Sequence, residues 1–67
     1  MTAGTVASFD EDAGIGAVRN DSDGVEVFFH CTQIADGSRT LTAGTAVTYD
    51  VVPGHRGQWQ AVRITPR

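Results

Sequence analysis

The residues whose side chains could take part in chemistry are concentrated in one short segment, Val27 to Cys31. This segment carries two phenylalanines, a histidine and the only cysteine. A histidine beside a cysteine could form an activated thiolate nucleophile. Adjacent residues on a strand point to opposite faces, however, so we expect His30 and Cys31 not to form that hydrogen-bonded pair. One cysteine and two histidines also fall short of a zinc site. We therefore predict no enzyme, no metal and no other cofactor.

Carboxylates are the other candidates for catalysis, and they fall in two clusters, Asp10–Asp12 and Asp21–Asp23. Gly24 follows the second cluster directly and Gly14 follows the first after one alanine, as in tight turns where positive φ is needed. We interpret both clusters as turn residues.

Phe28 and His30 instead indicate a binding surface. Val25, Val27 and Phe29 alternate with Glu26, Phe28 and His30, so one set can face the core while the other faces solvent. A phenylalanine and a histidine on an exposed sheet face favour a partner surface. The alternative is that a loop covers both side chains.

The elements that must position these residues are short β-branched runs separated by Gly and Asp turns. We predict five strands, at about residues 4–10, 15–20, 25–30, 45–52 and 58–64. Between the third and fourth strands we expect one helical turn within 31–43, with Ile34 and Leu41 facing inward. In the last strand we prefer Val62 and Ile64 as the inward residues. Closing five antiparallel strands into a small barrel removes unpaired edges. The predicted fold class is therefore an all-β, five-stranded antiparallel barrel.

Length and composition limit the function classes further. With 67 residues we expect a single domain, 1–67, without a deep cleft. The unpaired cysteine and the absence of a signal-like N-terminus predict a cytoplasmic protein with no membrane partner. The net charge is −3 and all five basic residues are arginines, so the chain lacks the positive field of strong phosphate binders.

Several segments together carry a family pattern. They are Gly4-Thr5-Val6, Phe9-Asp10, Gly14-Ile15-Gly16-Ala17-Val18, Val27-Phe28-Phe29-His30, Ile34, Arg39-Thr40-Leu41, Gly44 and Gly54-His55-Arg56-Gly57. In order and spacing the whole chain resembles a bacterial cold-shock protein, whose pattern reads G-T-V-K-W-F-N, K-G-F-G-F-I and D-V-F-V-H-F. The resemblance implies an OB-fold barrel that binds single-stranded RNA or DNA, its exposed aromatic side chains stacking on bases.

The chain departs from this pattern at most of the stacking positions. Ser8 stands where the family has tryptophan, Ile15 and Ala17 stand where it has two phenylalanines, and Cys31 stands where it has an aromatic residue. Two family lysines are also replaced, by Ala7 and Ala13. The resemblance therefore describes a divergent member, and we expect its binding to be weak and salt-dependent.

Transferred position by position, the resemblance implies a set of nucleic-acid-binding residues: Phe9, Ile15, Phe28, His30, Arg39 and Arg56. Trp59 departs from the family pattern, in which an aromatic residue is rare at this place, and we add it to the set because it could restore one stacking surface next to Arg56. In this interpretation Phe28 and His30 form the stacking centre, the two arginines contact phosphates, and Phe9 and Trp59 are auxiliary platforms. Alternatives remain open for most of these residues. Phe9 could pack in the core, Trp59 across the barrel end, Ile15 could be ordinary surface and the arginines plain solvated charges. We expect Arg63 and Arg67 to be solvated.

The predicted function is single-stranded nucleic-acid binding, as an RNA chaperone or regulator of gene expression. The alternative is a protein-interaction or self-associating module that uses an apolar patch around Ile15, Phe28 and Trp59. Both a monomer and a domain-swapped dimer are compatible with so small a barrel.

Overall fold

The computed structural model describes residues 1–37, 40–54 and 57–67. Five strands form in them: β1 (Thr2–Asp10), β2 (Ile15–Asn20), β3 (Glu26–His30), β4 (Ala46–Pro53) and β5 (Trp59–Pro66). One 3-10 turn, Cys31–Gln33, follows β3 and is the expected helical turn. The predicted strand bounds agree with the observed ones to within two residues. Within the described ranges, no helix is long and apolar enough to cross a membrane.

The strands close into a barrel in the order β1-β2-β3-β5-β4. This confirms the predicted all-β, five-stranded barrel. One detail of the prediction was wrong, because β3 and β5 run parallel where they meet, at Phe28 and Gln60. An odd number of strands around a closed ring cannot all alternate in direction, so one parallel contact is unavoidable.

Asx-type hydrogen bonds form the two acidic turns. One carboxylate oxygen of Asp10 accepts from the backbone N–H groups two and three residues further on, at 3.0 and 3.3 Å. In the next turn Asp23 accepts from the N–H of Val25 at 2.9 Å. Gly14 and Gly24 adopt φ values of 68° and 75°. The interpretation of both clusters as turn residues is thus confirmed.

The core is a single cluster of apolar side chains and one tyrosine. Its buried members are Val6, Val18, Phe29, Ile34, Val47, Tyr49, Ala61 and Ile64. Val27 and Leu41 pack against this cluster and are partly buried, as expected. Val25, by contrast, is 56% exposed, because β3 begins only at Glu26 and Val25 belongs to the preceding turn.

Two β-bulges decide which side chains face inward. In β1 the register shifts between Val6 and Ser8, so Ser8 is exposed and Phe9 turns toward the core. In β5 the shift occurs around Arg63, whose φ is 52°, and it places Ile64 in the core. Ile64 was expected to face inward and does, whereas Val62, the other preferred inward residue, is buried but lies outside the core cluster, to which its neighbour Ala61 belongs.

Candidate nucleic-acid interface

The outer face of β1, β2 and β3 brings the main predicted site residues together. Ile15 lies opposite His30, and Ala17 lies between Ser8 on one side and Phe28 on the other. We call these five residues the platform. Phe28 is 64% exposed and Ile15 is 47% exposed, so both present apolar surface to solvent. No loop among the described residues covers Phe28, and the outward orientation expected from alternation is therefore observed.

A hydrogen bond holds the His30 ring in a fixed orientation at the end of β3. Its Nδ1 accepts from the backbone N–H of Thr32 at 3.2 Å and lies 3.0 Å from the hydroxyl of the same residue. His30 is thereby the N-cap of the 3-10 turn. Because Nδ1 accepts, the neutral ring carries its proton on Nε2, which is left as a hydrogen-bond donor.

The expectation that His30 and Cys31 point apart was wrong. The Sγ atom of Cys31 lies 3.9 Å from Nδ1 of His30. The strand ends at His30 and Cys31 begins the 3-10 turn, so the alternation of a strand no longer applies. The Nδ1 lone pair already accepts from Thr32, however, so the ring is poorly placed to take the thiol proton.

Phe9 lies on the core side of β1. Its ring stacks on that of Phe29, with centroids 5.9 Å apart and an interplanar angle of 15°. The bulge after Val6 causes this orientation, because regular alternation would have turned Phe9 outward. The structure therefore places Phe9 with the core and not beside Phe28.

Trp59 also lies apart from the platform, although it is 59% exposed. Its neighbour Gln60 is the residue opposite Phe28, and Ala61 is fully buried, so Trp59 shares the inward side of β5 with Ala61. It lines a groove at one end of the barrel, which Phe28 also borders. Ile15 does not line that groove, so the apolar patch proposed for a protein-interaction module is divided between two surfaces.

The four arginines considered in the sequence fall into two groups. Arg39 and Arg56, the predicted phosphate contacts, lie outside the described residues. Arg63 and Arg67 are both exposed to solvent, as expected, and each also pairs with a carboxylate: Arg63 binds Asp50 at 2.7 Å and Arg67 binds Asp21 at 2.9 Å. The hydrogen bond from Arg63 and the nearby N-terminal amine hold the pKa of Asp50 below its ordinary value. These two arginines are therefore engaged by carboxylates.

Arg19 is a site candidate that the sequence interpretation missed. It is exposed and lies on the same side of β2 as Ile15 and Ala17, opposite Glu26. The signal was present in the period-2 alternation of β2, which places every second residue on one face.

Comparison with known proteins agrees with this geometry. Residues 2–66 match the family described as the 'Cold-shock' DNA-binding domain. The chain is 43% identical to cold shock protein ScoF of Streptomyces coelicolor over 67 residues, which is 98% of each chain. It is also 43% identical to cold shock protein 2 of Lactiplantibacillus plantarum over 68 residues, the full length of both. Cold shock protein 1 of Arabidopsis thaliana, 35% identical, matches 96% of this chain with only 22% of its own length. The chain belongs to the cold-shock domain family.

Proposed function

We propose that this chain binds single-stranded nucleic acid on the platform, with Phe28 and His30 as its stacking centre. The observation that carries the proposal is the 64% exposure of Phe28, an aromatic ring on the outer face of β3. Such a ring offers a flat apolar surface to any base, and an alanine in its place costs roughly 1–3 kcal/mol per stacked base in comparable sites. His30 lies at the end of the same strand with its ring orientation fixed by Thr32.

Other residues extend the platform on either side. Ile15, opposite His30, supplies an apolar contact to a second base. Arg19 on the same face of β2 contacts the sugar-phosphate backbone, and Arg39 and Arg56 keep their predicted phosphate roles. Phe9 and Trp59 contribute less in this proposal, because neither side chain belongs to the platform.

The affinity is low in this proposal because the platform is small. Ser8, Ala17 and Cys31 offer no ring, and Ile15 offers only an aliphatic surface. Loss of about three or four stacked bases removes roughly 3–12 kcal/mol, enough to turn a nanomolar complex into a micromolar or weaker one. The net charge of −3 acts in the same direction. A weak, exchanging complex of this kind suits a cytoplasmic RNA chaperone or a regulator that acts on many transcripts.

The test is a titration of a fluorescently labelled, short pyrimidine-rich single strand, as RNA and as DNA, followed by anisotropy at low and at physiological salt. We expect saturable binding that weakens with salt and is lost in Phe28→Ala and in His30→Ala. Val25→Ala is the matched control, since it also removes an exposed apolar side chain but lies outside the platform. Absence of binding at low salt, or equal loss in the control, would contradict the proposal.

The alternative function, a protein-interaction module, is supported by a different surface. That surface is the groove beside Trp59, at the end of the barrel.

A further inference from the structure

A groove of about 400 Å³ opens at one end of the barrel, where β3 and β5 begin. It exists because the two strands pair only at Phe28 and Gln60, so their first residues are not joined by a ladder. It is lined by the exposed Val25, Val51 and Trp59, by the buried Tyr49 and by the acidic Asp23 and Glu26, together with Asn20, Val27, Phe28 and Gln58. We call this surface the end groove.

The walls of the end groove are unusually apolar for exposed positions. Val25 is 56% exposed, Val51 38% and Trp59 59%. Three large apolar side chains around one concavity expose apolar surface to water, and a ligand that covered this surface would gain hydrophobic free energy. None of the three belongs to the platform, so single-stranded nucleic acid bound there would leave this surface in water.

Among the polar residues that line the end groove, Asp23 and Glu26 are acidic and Asn20 and Gln58 are neutral. Neither Asp23 nor Glu26 forms an ion pair with any residue in the described ranges. Tyr49 is 1% exposed, lines the groove and has no side-chain hydrogen bond within those ranges. Burial raises the pKa of Tyr49, and the negative charges of Asp23 and Asp21 raise it further. The groove therefore combines two carboxylates and a tyrosine with an exposed apolar surface.

The carboxylates and the apolar surface of the end groove together favour a ligand side chain that has a cationic group at the end of an aliphatic stem. A guanidinium group stacks on an indole face and donates to carboxylates, while its aliphatic stem covers apolar surface. Trp59 supplies the indole, Asp23 and Glu26 the carboxylates, and Val25 and Val51 the apolar walls. Phosphates are repelled by the same carboxylates, and a chain of net charge −3 is a poor partner for its own copy.

We infer that the end groove docks a basic segment of a partner protein, which inserts one arginine side chain against Trp59 between Asp23 and Glu26. This inference does not depend on nucleic-acid binding, because the platform and the end groove share only Phe28 at their border. The two surfaces also differ in charge preference. A single chain can therefore hold a basic protein segment at the barrel end while a single strand lies on the platform.

The probe is a blocked Leu-Arg-Leu peptide added to ¹⁵N-labelled protein, with the amide shifts of the whole chain followed by NMR. We expect saturable shifts centred on 25–27, 49–51 and 58–60, and none on Ile15 or His30. The same peptide with citrulline in place of arginine keeps the shape but loses the charge, and it should bind roughly tenfold more weakly.

Variants separate the roles of charge and indole. Asp23→Asn combined with Glu26→Gln should weaken peptide binding by roughly threefold or more. Glu11→Gln combined with Asp12→Asn makes the same change in net charge at the exposed β1–β2 turn and should leave binding unchanged. Trp59→Ala should abolish saturation, and a native-like amide spectrum shows whether that variant is folded.

Four results would overturn the inference. Equal binding of the citrulline peptide would mean that the groove recognises apolar surface alone. Peptide shifts centred on the platform, or none up to millimolar peptide, would mean that the groove is not the docking site. Groove amides that shift on dilution of the protein alone would identify a second copy of the chain as the occupant.

Discussion

If the small size of the platform limits affinity, restoring one ring to it should strengthen binding. Ser8 is the best position, because it is exposed, lies after the β1 bulge and is opposite Ala17, which in turn is opposite Phe28. In Ser8→Trp the new indole would therefore lie two strands from the Phe28 ring on the same outer face. One additional stacked base contributes roughly 1–3 kcal/mol, which corresponds to about 5- to 150-fold tighter binding.

The assay is anisotropy of a labelled pyrimidine-rich single strand, at one fixed salt concentration. Ala3→Trp is the matched control, because Ala3 is exposed on the same strand but pairs with Thr48 of β4, away from the platform. We expect tighter binding for Ser8→Trp only. Equal gains in both variants would show that any exposed indole suffices, and no gain in a folded Ser8→Trp protein would refute the proposed position of the bound strand.

Three further predictions concern stability. In Gly16→Ala the new Cβ would lie 2.6 Å from Cζ of Phe29 and 2.7 Å from the carbonyl oxygen of Ser8, so urea denaturation should show a loss of roughly 1–3 kcal/mol. The folded-state pKa of Asp50 is lowered, so its bond to Arg63 stabilises the barrel above the ordinary pKa of 3.8 and is lost as the pH falls through the folded value. Melting temperatures of Asp50→Asn and the parent chain should accordingly converge below that pH, and a constant difference would contradict this. Arg63 has a φ of 52°, so Arg63→Gly should be about 1 kcal/mol more stable than Arg63→Ala. Both variants lose the bond to Asp50, but only the alanine variant keeps the backbone strain. Equal denaturation midpoints of the two variants would show that the strain is negligible.

The strands and the platform could be predicted because both depend on local pattern. Alternation in 26–30 places Phe29 inward and Phe28 outward, and the structure has both orientations. The Asp and Gly clusters mark turns through hydrogen bonds between near neighbours, as at Asp10. Such features need no knowledge of distant residues.

The positions of Phe9 and Trp59 could not be decided in the same way. Phe9 turns to the core because of a bulge in β1, which depends on pairing with β2 and leaves no clear mark in the sequence. Trp59 lines the end groove because β3 and β5 meet at a single pair, a result of barrel closure between segments far apart in the chain. The proximity of His30 and Cys31 was missed because the rule for neighbouring strand residues was applied to Cys31, which lies beyond the strand in the 3-10 turn.

The most direct test of the central claim is an amide shift map of the ¹⁵N-labelled chain with a short pyrimidine-rich single strand at low salt. The account predicts saturable shifts centred on Ile15, Phe28 and His30, reversed by added salt and absent in Phe28→Ala. Shifts centred on Val51 and Trp59, or no shifts at low salt, would contradict it.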